Sequence, residues 1–356
     1  MSANRKAGAA GILPLIIAGF LTACSGTDAA APTCSVGELE TRINSALAQA
    51  SSAVDFSFLV ERGDGRRFAY DRGSSTAQTP YESASTSKLV SAVIILRLVD
   101  QGYLSLTDRP QDHMPLWPIA NSDTLYGMTL AQLLAFTSGL VTGPLCLHSG
   151  ASDFATCVYS IASTNAGNGI TPGAEFYYAN THLQVAGLMA IRAKGVSSWQ
   201  DIFSGFKSQT GLFSSSTFDL PSSTNPRLAG GMQWTAEDYM AFLQALKNGS
   251  LLSPGLQAAM LSNQTAAAAM TSSPVFDALG EAWHYGFGLW HECQNAVFNC
   301  AVGTRISSPG AYGAYPFWDR GKGYFGIVAR KGNSFTEGVA IERGVRTEVE
   351  AWAACQ

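Results

Sequence analysis

Ser85-Thr86-Ser87-Lys88 opens an apolar stretch whose pattern predicts a helix over 85–101. On a helix, residues three apart share a face, with about 5–6 Å between Cβ atoms, so Lys88 can reach the Ser85 hydroxyl. A serine hydroxyl is a poor nucleophile and needs a base. A lysine becomes a base only when its pKa falls, which desolvation and nearby positive potential both achieve. Leu89, Val90, Val93, Ile94, Ile95, Leu96, Leu98 and Val99 make this helix apolar nearly all round, which is the pattern of a buried helix. Its N-terminus offers backbone N–H groups and positive potential to a developing oxyanion. Alone, the same two residues equally describe a serine cap with a lysine snorkelling to water. The rest of the chain decides between these readings.

Other chemistries find less support. His148, His182, His284 and His291 invite a Ser–His–Asp arrangement, but no G-x-S-x-G elbow is present, and each is read as structural or surface. No CxxC spacing exists and no His stands at ligand spacing beside a Cys, so no metal site is expected. The net charge of −4 and the lack of a basic stripe interleaved with aromatics leave no nucleic-acid partner. Charged residues make up 13% of the chain against 46% hydrophobic, which suits a compact globular protein. No internal repeat or heptad run is found.

The elements that must position the Ser85 helix are legible in outline. Leu39, Ile43, Leu47 and Ala50 recur at helical spacing over 36–51. Residues 54–60 read as a strand, 61–65 as a tight turn and 67–70 as the hairpin partner. Gly102 ends the Ser85 helix as its C′ residue. The region 105–275 is richer in Ser, Thr, Asn, Pro and helical patterns. It includes a helix over 183–193 and another over 235–246, with Thr235 as N-cap, Asp238 at N3, and Trp234 and Tyr239 as a hydrophobic staple. Beyond 283 the strand signals return. Residues 285–291, 310–318 and 324–330 are expected as three neighbouring antiparallel strands, 321–323 as the last turn and 337–354 as a closing helix. The fold class is therefore α+β. A sheet with flanking helices is built from 34–104 and 276–356, and a mostly helical lobe from 105–275. The cleft between them is the expected site.

The first residues are read as an export signal. Arg5 and Lys6 precede an apolar run over 7–23 that is shorter than the ~20 residues of a spanning helix and is interrupted by Pro14. It ends in Leu21-Thr22-Ala23-Cys24, which resembles a bacterial lipobox. That resemblance implies cleavage after residue 23, lipidation of Cys24 and a polar tether over 24–33. The mature protein would then be held to a membrane by lipid and would face the bacterial cell envelope. Six further cysteines in an exported chain favour disulfides. Cys146–Cys157 and Cys293–Cys300 are natural local loops, and Cys34–Cys355 would join the chain ends.

Taken together, the motifs resemble the serine β-lactamase and penicillin-recognising family, in its branch of class C β-lactamases, esterases and D-stereospecific peptidases. Ser85-Thr86-Ser87-Lys88 and the segment 98–108 are similar to the S-x-S-K helix and the turn after it. Leu133-Leu134-Ala135-Phe136-Thr137-Ser138-Gly139-Leu140 is similar to "LL-x-HTSGL", with Phe136 where His is usual. Tyr178-Ala179-Asn180 matches Y-x-N. Segment 229–238 resembles "GG-x-x-S/T-x-x-D", and Tyr285-Gly286-Phe287-Gly288-Leu289-Trp290 resembles "YG-x-GW". The resemblance implies a β-lactamase/transpeptidase-like fold, no cofactor, and acylation of Ser85. Lys88 and Tyr178 would share general-base and general-acid work, and Asn180 would bond the substrate amide or the Lys88 ammonium. The family's third motif, Lys-Thr-Gly or His-x-Gly, has no counterpart here. One register places it at Arg305-Ile306-Ser307, where Arg305 could grip a substrate carboxylate and the Ser308 N–H could join that of Ser85 as oxyanion hole. A shifted register places it at Ser308-Pro309-Gly310. The implied substrate is a small-molecule or peptide acyl compound: an ester, amide, D-amino-acid derivative or β-lactam. The alternative is a penicillin-binding module that acylates with little turnover.

Overall fold

The computed structural model describes residues 34–355. The export signal, Cys24 and the tether to Thr33 lie outside the described residues.

Seven strands form one antiparallel sheet. They are β1 (Phe56–Arg62), β2 (Arg67–Arg72), β3 (His284–Tyr285), β4 (Trp290–His291), β5 (Arg305–Ser307), β6 (Tyr315–Asp319) and β7 (Tyr324–Ala329). Their spatial order is β2-β1-β7-β6-β5-β4-β3, so the first hairpin pairs with the last strand of the chain. β1 is buried at every position, as a strand covered on both faces must be. Among the helices, α1 (Val36–Gln49) packs on α5 (Phe335–Ala354), and α5 also packs on β6 and β7. α4 (Ala236–Lys247) packs on β7 and β1. Side chains alternate along β7. Phe325 faces Lys247 of α4, and Tyr324 faces Arg305 and Glu342 of α5, so the two helices cover opposite faces. α2 (Ser87–Asp100) is buried on nearly all sides and packs on α3 (Thr181–Lys194) of the helical region.

Local signals in the sequence account for the helix ends. Tyr103 N–H donates to Leu98 and Gly102 takes a positive φ of 77°, closing α2 in a Schellman-like cap. Thr235 Oγ1 accepts from the Asp238 N–H at 3.1 Å, and the Trp234 and Tyr239 rings meet edge to face at 5.2 Å.

Two expectations change. The strand expected over 285–291 is a hairpin of two short strands that turns at Gly288, where φ is +73°. The strand expected to begin at 310 begins at Tyr315, because 310–313 is a turn closed by the Gly313 N–H on the Gly310 carbonyl. β5 therefore lies between the strand pairs that were expected to be neighbours. Disulfides link Cys146 to Cys157 and Cys293 to Cys300, and Cys34 and Cys355 are disulfide-bonded as well.

Gly288 sets how closely the sheet approaches α2. A Cβ there would stand 2.7 Å from the Lys88 carbonyl oxygen and 2.5 Å from the Ala92 Cβ. Gly288→Ala is expected to destabilise the protein by about 1–3 kcal/mol through overpacking and a strained φ. The urea midpoint of the variant, measured by circular dichroism, checks this; an unshifted midpoint contradicts it.

Candidate active site

Ser85 lies in a 3₁₀ turn, Ala84–Thr86, that runs directly into α2. Ala84 before it has φ of +43°, a conformation that costs a non-glycine residue energy and persists only where surroundings enforce it. The enforcement is visible. Trp234 Nε1 donates to Thr86 Oγ1 at 2.8 Å, and the Tyr239 hydroxyl donates to the Thr86 carbonyl at 3.0 Å. The Ser83 N–H donates to the Met232 carbonyl at 2.8 Å, and the Ser83 and Ser87 hydroxyls bond each other. Residues 232–239 thus hold the turn that carries Ser85 in place.

Lys88 Nζ donates to Ser85 Oγ and to the Ala229 carbonyl, both at 2.9 Å. Lys88 is only 1% exposed. Burial, and after it the positive charge of Arg227, hold its pKa well below the usual lysine range. Tyr178 completes the group. Its ring centroid is 4.6 Å from Lys88 Nζ, and it stacks on Trp290 at 5.2 Å. Burial pushes its phenol up to about 12, and the Ser85 and Trp290 side chains beside it offset that only in part. Two titratable groups are thereby driven apart, the amine towards its neutral form and the phenol towards its protonated form.

Tyr178 is positioned by backbone and by packing. Its N–H donates to the Ser272 carbonyl at 3.1 Å, where the segment Glu175–Tyr177 pairs in parallel with Ala269–Ser272. Phe136, Phe176, Tyr285 and Trp290 surround its ring. Phe136, where the family's usual His is missing, stacks on His182 at 4.8 Å. His182 Nε2 bonds the Tyr177 carbonyl at 2.9 Å, and its Nδ1 bonds the Ser138 hydroxyl at 2.8 Å. Ser138 and His182 are both fully buried, so this second Ser/His pair is sealed from substrate. Burial, chiefly, lowers His182 to about 4, so the ring is neutral.

A cavity of about 80 Å³ opens at Ser85 and Tyr178. Its other walls are apolar: Pro274, Val275, Trp290, Pro309, Ala311 and Phe335. Asn180 stands at the N-terminus of α3, half-buried, and its side chain makes no cap hydrogen bond.

Arg305 and Ser308 do not stand as expected. Arg305 points away from Ser85, into a buried cluster under α5. Its Nε is 3.1 Å from Glu292, Nη1 is 3.2 Å from Asp319 and 3.0 Å from the Tyr324 hydroxyl, and Nη2 is 2.7 Å from Glu342. Three carboxylates hold the guanidinium, so none of its fork is left for a substrate. Burial alone would raise the Glu292 carboxyl, but Arg305 and Arg346 outweigh it and hold it below its usual range. The segment lying against Ser85 is instead Ser308-Pro309-Gly310. Ser308 Oγ is 3.4 Å from the Ser85 carbonyl, and a Cβ on Gly310 would stand 2.6 Å from the Ser83 carbonyl oxygen. The Ser308 N–H cannot face an oxyanion, because it donates to the Pro316 carbonyl at 3.1 Å. The Gly310 N–H donates to Ala314, and Pro309 has no N–H. Alternation along this segment turns Pro309 and Ala311 towards the cavity, and Ala311 is the first of these with an N–H to offer. Ala311 gave no sequence signal, because what brings it to the cavity is backbone direction and not its side chain. Trp290 lay within a quoted motif but was read only as a strand residue.

An antiparallel sheet flanked by helices, with a serine–lysine pair at the start of a buried helix, defines the β-lactamase/transpeptidase-like class. The chain belongs to the Beta-lactamase family, whose model matches residues 57–349. It is similar to Penicillin-binding protein 4 of Amycolatopsis lactamdurans, with 29% identity over 133 residues. That match covers 36% of this chain and 34% of the relative, so it spans about a third of the relative's length. It also superposes on a protein of Bacteroides dorei DSM 17855 assigned as a beta-lactamase, at 26% identity and TM-score 0.71, over 89% of this chain and 99% of that one. EstCE1, a hydrolase with promiscuous acyltransferase activity, shares the fold at 18% identity and TM-score 0.69, over 88% and 98% of the two chains.

Arg305→Met is expected to cost about 3–5 kcal/mol of stability, because it strands buried carboxylates. Denaturant unfolding reads this directly, and a wild-type midpoint would remove the structural role.

Proposed function

We propose that this protein is a serine hydrolase that forms an acyl-enzyme on Ser85 and hydrolyses small esters or amides. The observation that carries the reading is the buried Lys88 amine 2.9 Å from the Ser85 hydroxyl. Ser85 Oγ attacks the acyl carbonyl carbon and its proton passes to Lys88 Nζ. The N–H groups of Ser85 and Ala311 hold the oxyanion. When the tetrahedral intermediate collapses, Tyr178 gives its proton to the leaving oxygen or nitrogen and regains one from Lys88. Water then attacks the acyl-enzyme with the same groups in reverse. Asn180 bonds the substrate's amide.

The apolar lining of the cavity and the commitment of Arg305 elsewhere favour small acyl, ester or D-amino-acid substrates over efficient turnover of a β-lactam. Disulfides favour an oxidising compartment outside the cytoplasm. No helix among the described residues is long and apolar enough to cross a membrane. Lipid on Cys24 is the proposed anchor. The second reading, a penicillin-binding module with little turnover, draws on the name of the Amycolatopsis relative.

A fluorophosphonate or fluorescent penicillin should label the wild type and leave Ser85→Ala dark. Lys88→Ala should slow acylation by about 10²–10⁴. Unchanged labelling of either variant overturns the assignment. Turnover of p-nitrophenyl esters against nitrocefin ranks the readings, and labelling without turnover on either favours the binding module.

The pH profile gives an independent check. Lys88 acts unprotonated, so kcat/KM falls as pH drops through its lowered pKa. The midpoint of that acid limb should lie well below ~10.4, the ordinary lysine value. A limb centred near the ordinary value contradicts the role.

A further inference from the structure

Beside the turn that carries Ser85 stands a cation that the mechanism above does not use as a binding group. Residues 225–231 are tied down almost residue by residue. Asn225 Nδ2 donates to the Cys146 carbonyl at 2.9 Å. Gln184 Nε2 donates to the Pro226 carbonyl at 3.0 Å, and Gln184 Oε1 accepts from the Leu228 N–H at 3.1 Å. Ser91 Oγ donates to the Leu228 carbonyl at 2.7 Å, and Lys88 itself holds the Ala229 carbonyl. The Arg227 carbonyl accepts from the N–H groups of Gly230 and Gly231. Gln184 and Asn225, which do most of the tying, are each 1% exposed. This wall is built rather than draped.

Arg227 projects from it towards the nucleophile turn. The point where a Cβ would stand on Gly230 is 3.2 Å from Arg227 Nε and 3.5 Å from the Ala84 carbonyl carbon, the atom bonded to the nitrogen of Ser85. A side chain at Gly230 would press on the guanidinium, which would have to give by a few tenths of an ångström. Arg227 Nη1 donates to His148 Nδ1 at 3.1 Å, and that acceptor role requires a neutral imidazole. His148 sits in the loop closed by Cys146–Cys157, so the disulfide fixes the residue that steadies the guanidinium. No carboxylate among the described residues forms an ion pair with Arg227. Arg305 shows the contrast: its guanidinium is surrounded by acids, whereas that of Arg227 is held by a neutral acceptor and keeps its charge uncompensated. Its positive potential reaches the active lysine, which places it within electrostatic range of the reacting atoms.

We propose that Arg227 is a specificity-determining residue of the Ser85 site, taking the carboxylate of an anionic ester or amide substrate. The proposal rests on the reading of Ser85 as the acylated nucleophile. A guanidinium is suited to this task because its planar fork meets a carboxylate with two parallel N–H···O bonds. Being pre-positioned, it gives up little side-chain freedom on binding. The preferred substrates then combine an apolar portion, which fits the lining formed by Val275, Trp290 and Phe335, with a carboxylate on the Arg227 side.

The test compares charge-matched ester pairs on the purified protein. Mono-p-nitrophenyl glutarate against p-nitrophenyl valerate places a carboxylate on the acyl side. 4-Acetoxybenzoate against its methyl ester places it on the leaving group. In Arg227→Gln, the ratio of kcat/KM for the anionic to the neutral member should fall at least ~10-fold in one pair, the scale of a charge-assisted hydrogen bond. Arg227→Lys should restore part of it. The pair that responds tells which side of the scissile bond the carboxylate occupies. Ratios that stay within twofold in both pairs overturn the proposal, as does an equal fall for anionic and neutral members, which would mean that Arg227 acts only through Lys88. Arg227→Met guards against a misfolded Gln variant, with thermal melts confirming the fold of each. Fluorophosphonate labelling runs alongside. An unlabelled wild type defeats the nucleophile reading, whereas labelled variants with unchanged ratios defeat the Arg227 proposal alone.

Discussion

A lysine amine kept dry against a serine hydroxyl is the constraint from which the rest of this structure follows. An ammonium buried at that place would need an acid beside it, and among the described residues no carboxylate bonds Lys88. The site offers the Ala229 carbonyl, the Ser85 hydroxyl and the face of Tyr178. Desolvation therefore favours the neutral amine. Keeping water out requires an apolar helix packed all round, and α2 meets that requirement along its length. It also requires close approach of the neighbouring backbones, which Gly288 and Gly310 permit by having no side chain. The positive φ at Ala84 belongs to the same economy of space, since the turn that presents Ser85 is held from three directions by Ser83, Thr86 and their partners.

Charge in this protein is distributed by function. Arg305, Glu292, Asp319 and Glu342 form a compensated cluster between the sheet and α5, and Arg346 joins it. Such a cluster fixes the angle of a helix on a sheet and leaves nothing for a ligand, and removing one member is far costlier than its presence is stabilising. The Ser85 side of the sheet has no such compensation. There two ionisable groups are held singly in the interior, Lys88 without an acid and Tyr178 against a tryptophan, while Arg227 bonds His148 at the exposed edge. Groups held singly in a dry setting have displaced proton equilibria and unsatisfied bonding capacity, the two properties that chemistry and recognition draw on.

The helical region contributes more than a lid. It supplies Tyr178 through a parallel strand pairing and fixes that tyrosine inside an aromatic cluster. It also supplies the 225–231 wall, and the Cys146–Cys157 bridge stiffens the loop that abuts it. Phe136 and His182 show a local rearrangement within the family frame. With an aromatic at 136, the neutral imidazole of His182 takes up the Tyr177 carbonyl next to Tyr178.

The sequence by itself determined what is local and periodic. The Ser85-Lys88 spacing, the all-apolar helix behind it, the Gly102 stop, the Thr235 cap with its staple and the two short disulfide loops are each set by residues near each other in the chain, the disulfide loops spanning 11 and 7 residues. The motif order was equally legible, because it needs only chain sequence. What tertiary structure decided is everything that turns on backbone direction and on distant partners. Arg305 carries the right charge for substrate, yet strand parity aims it at α5 and its acids. Ser308 was a reasonable oxyanion donor until its N–H proved to be bonded across to Pro316, which leaves Ala311 to face the cavity. Arg227 carried no signal at all, being an ordinary arginine in an ordinary loop. Only the fold brings it beside Gly230 and the turn that carries Ser85.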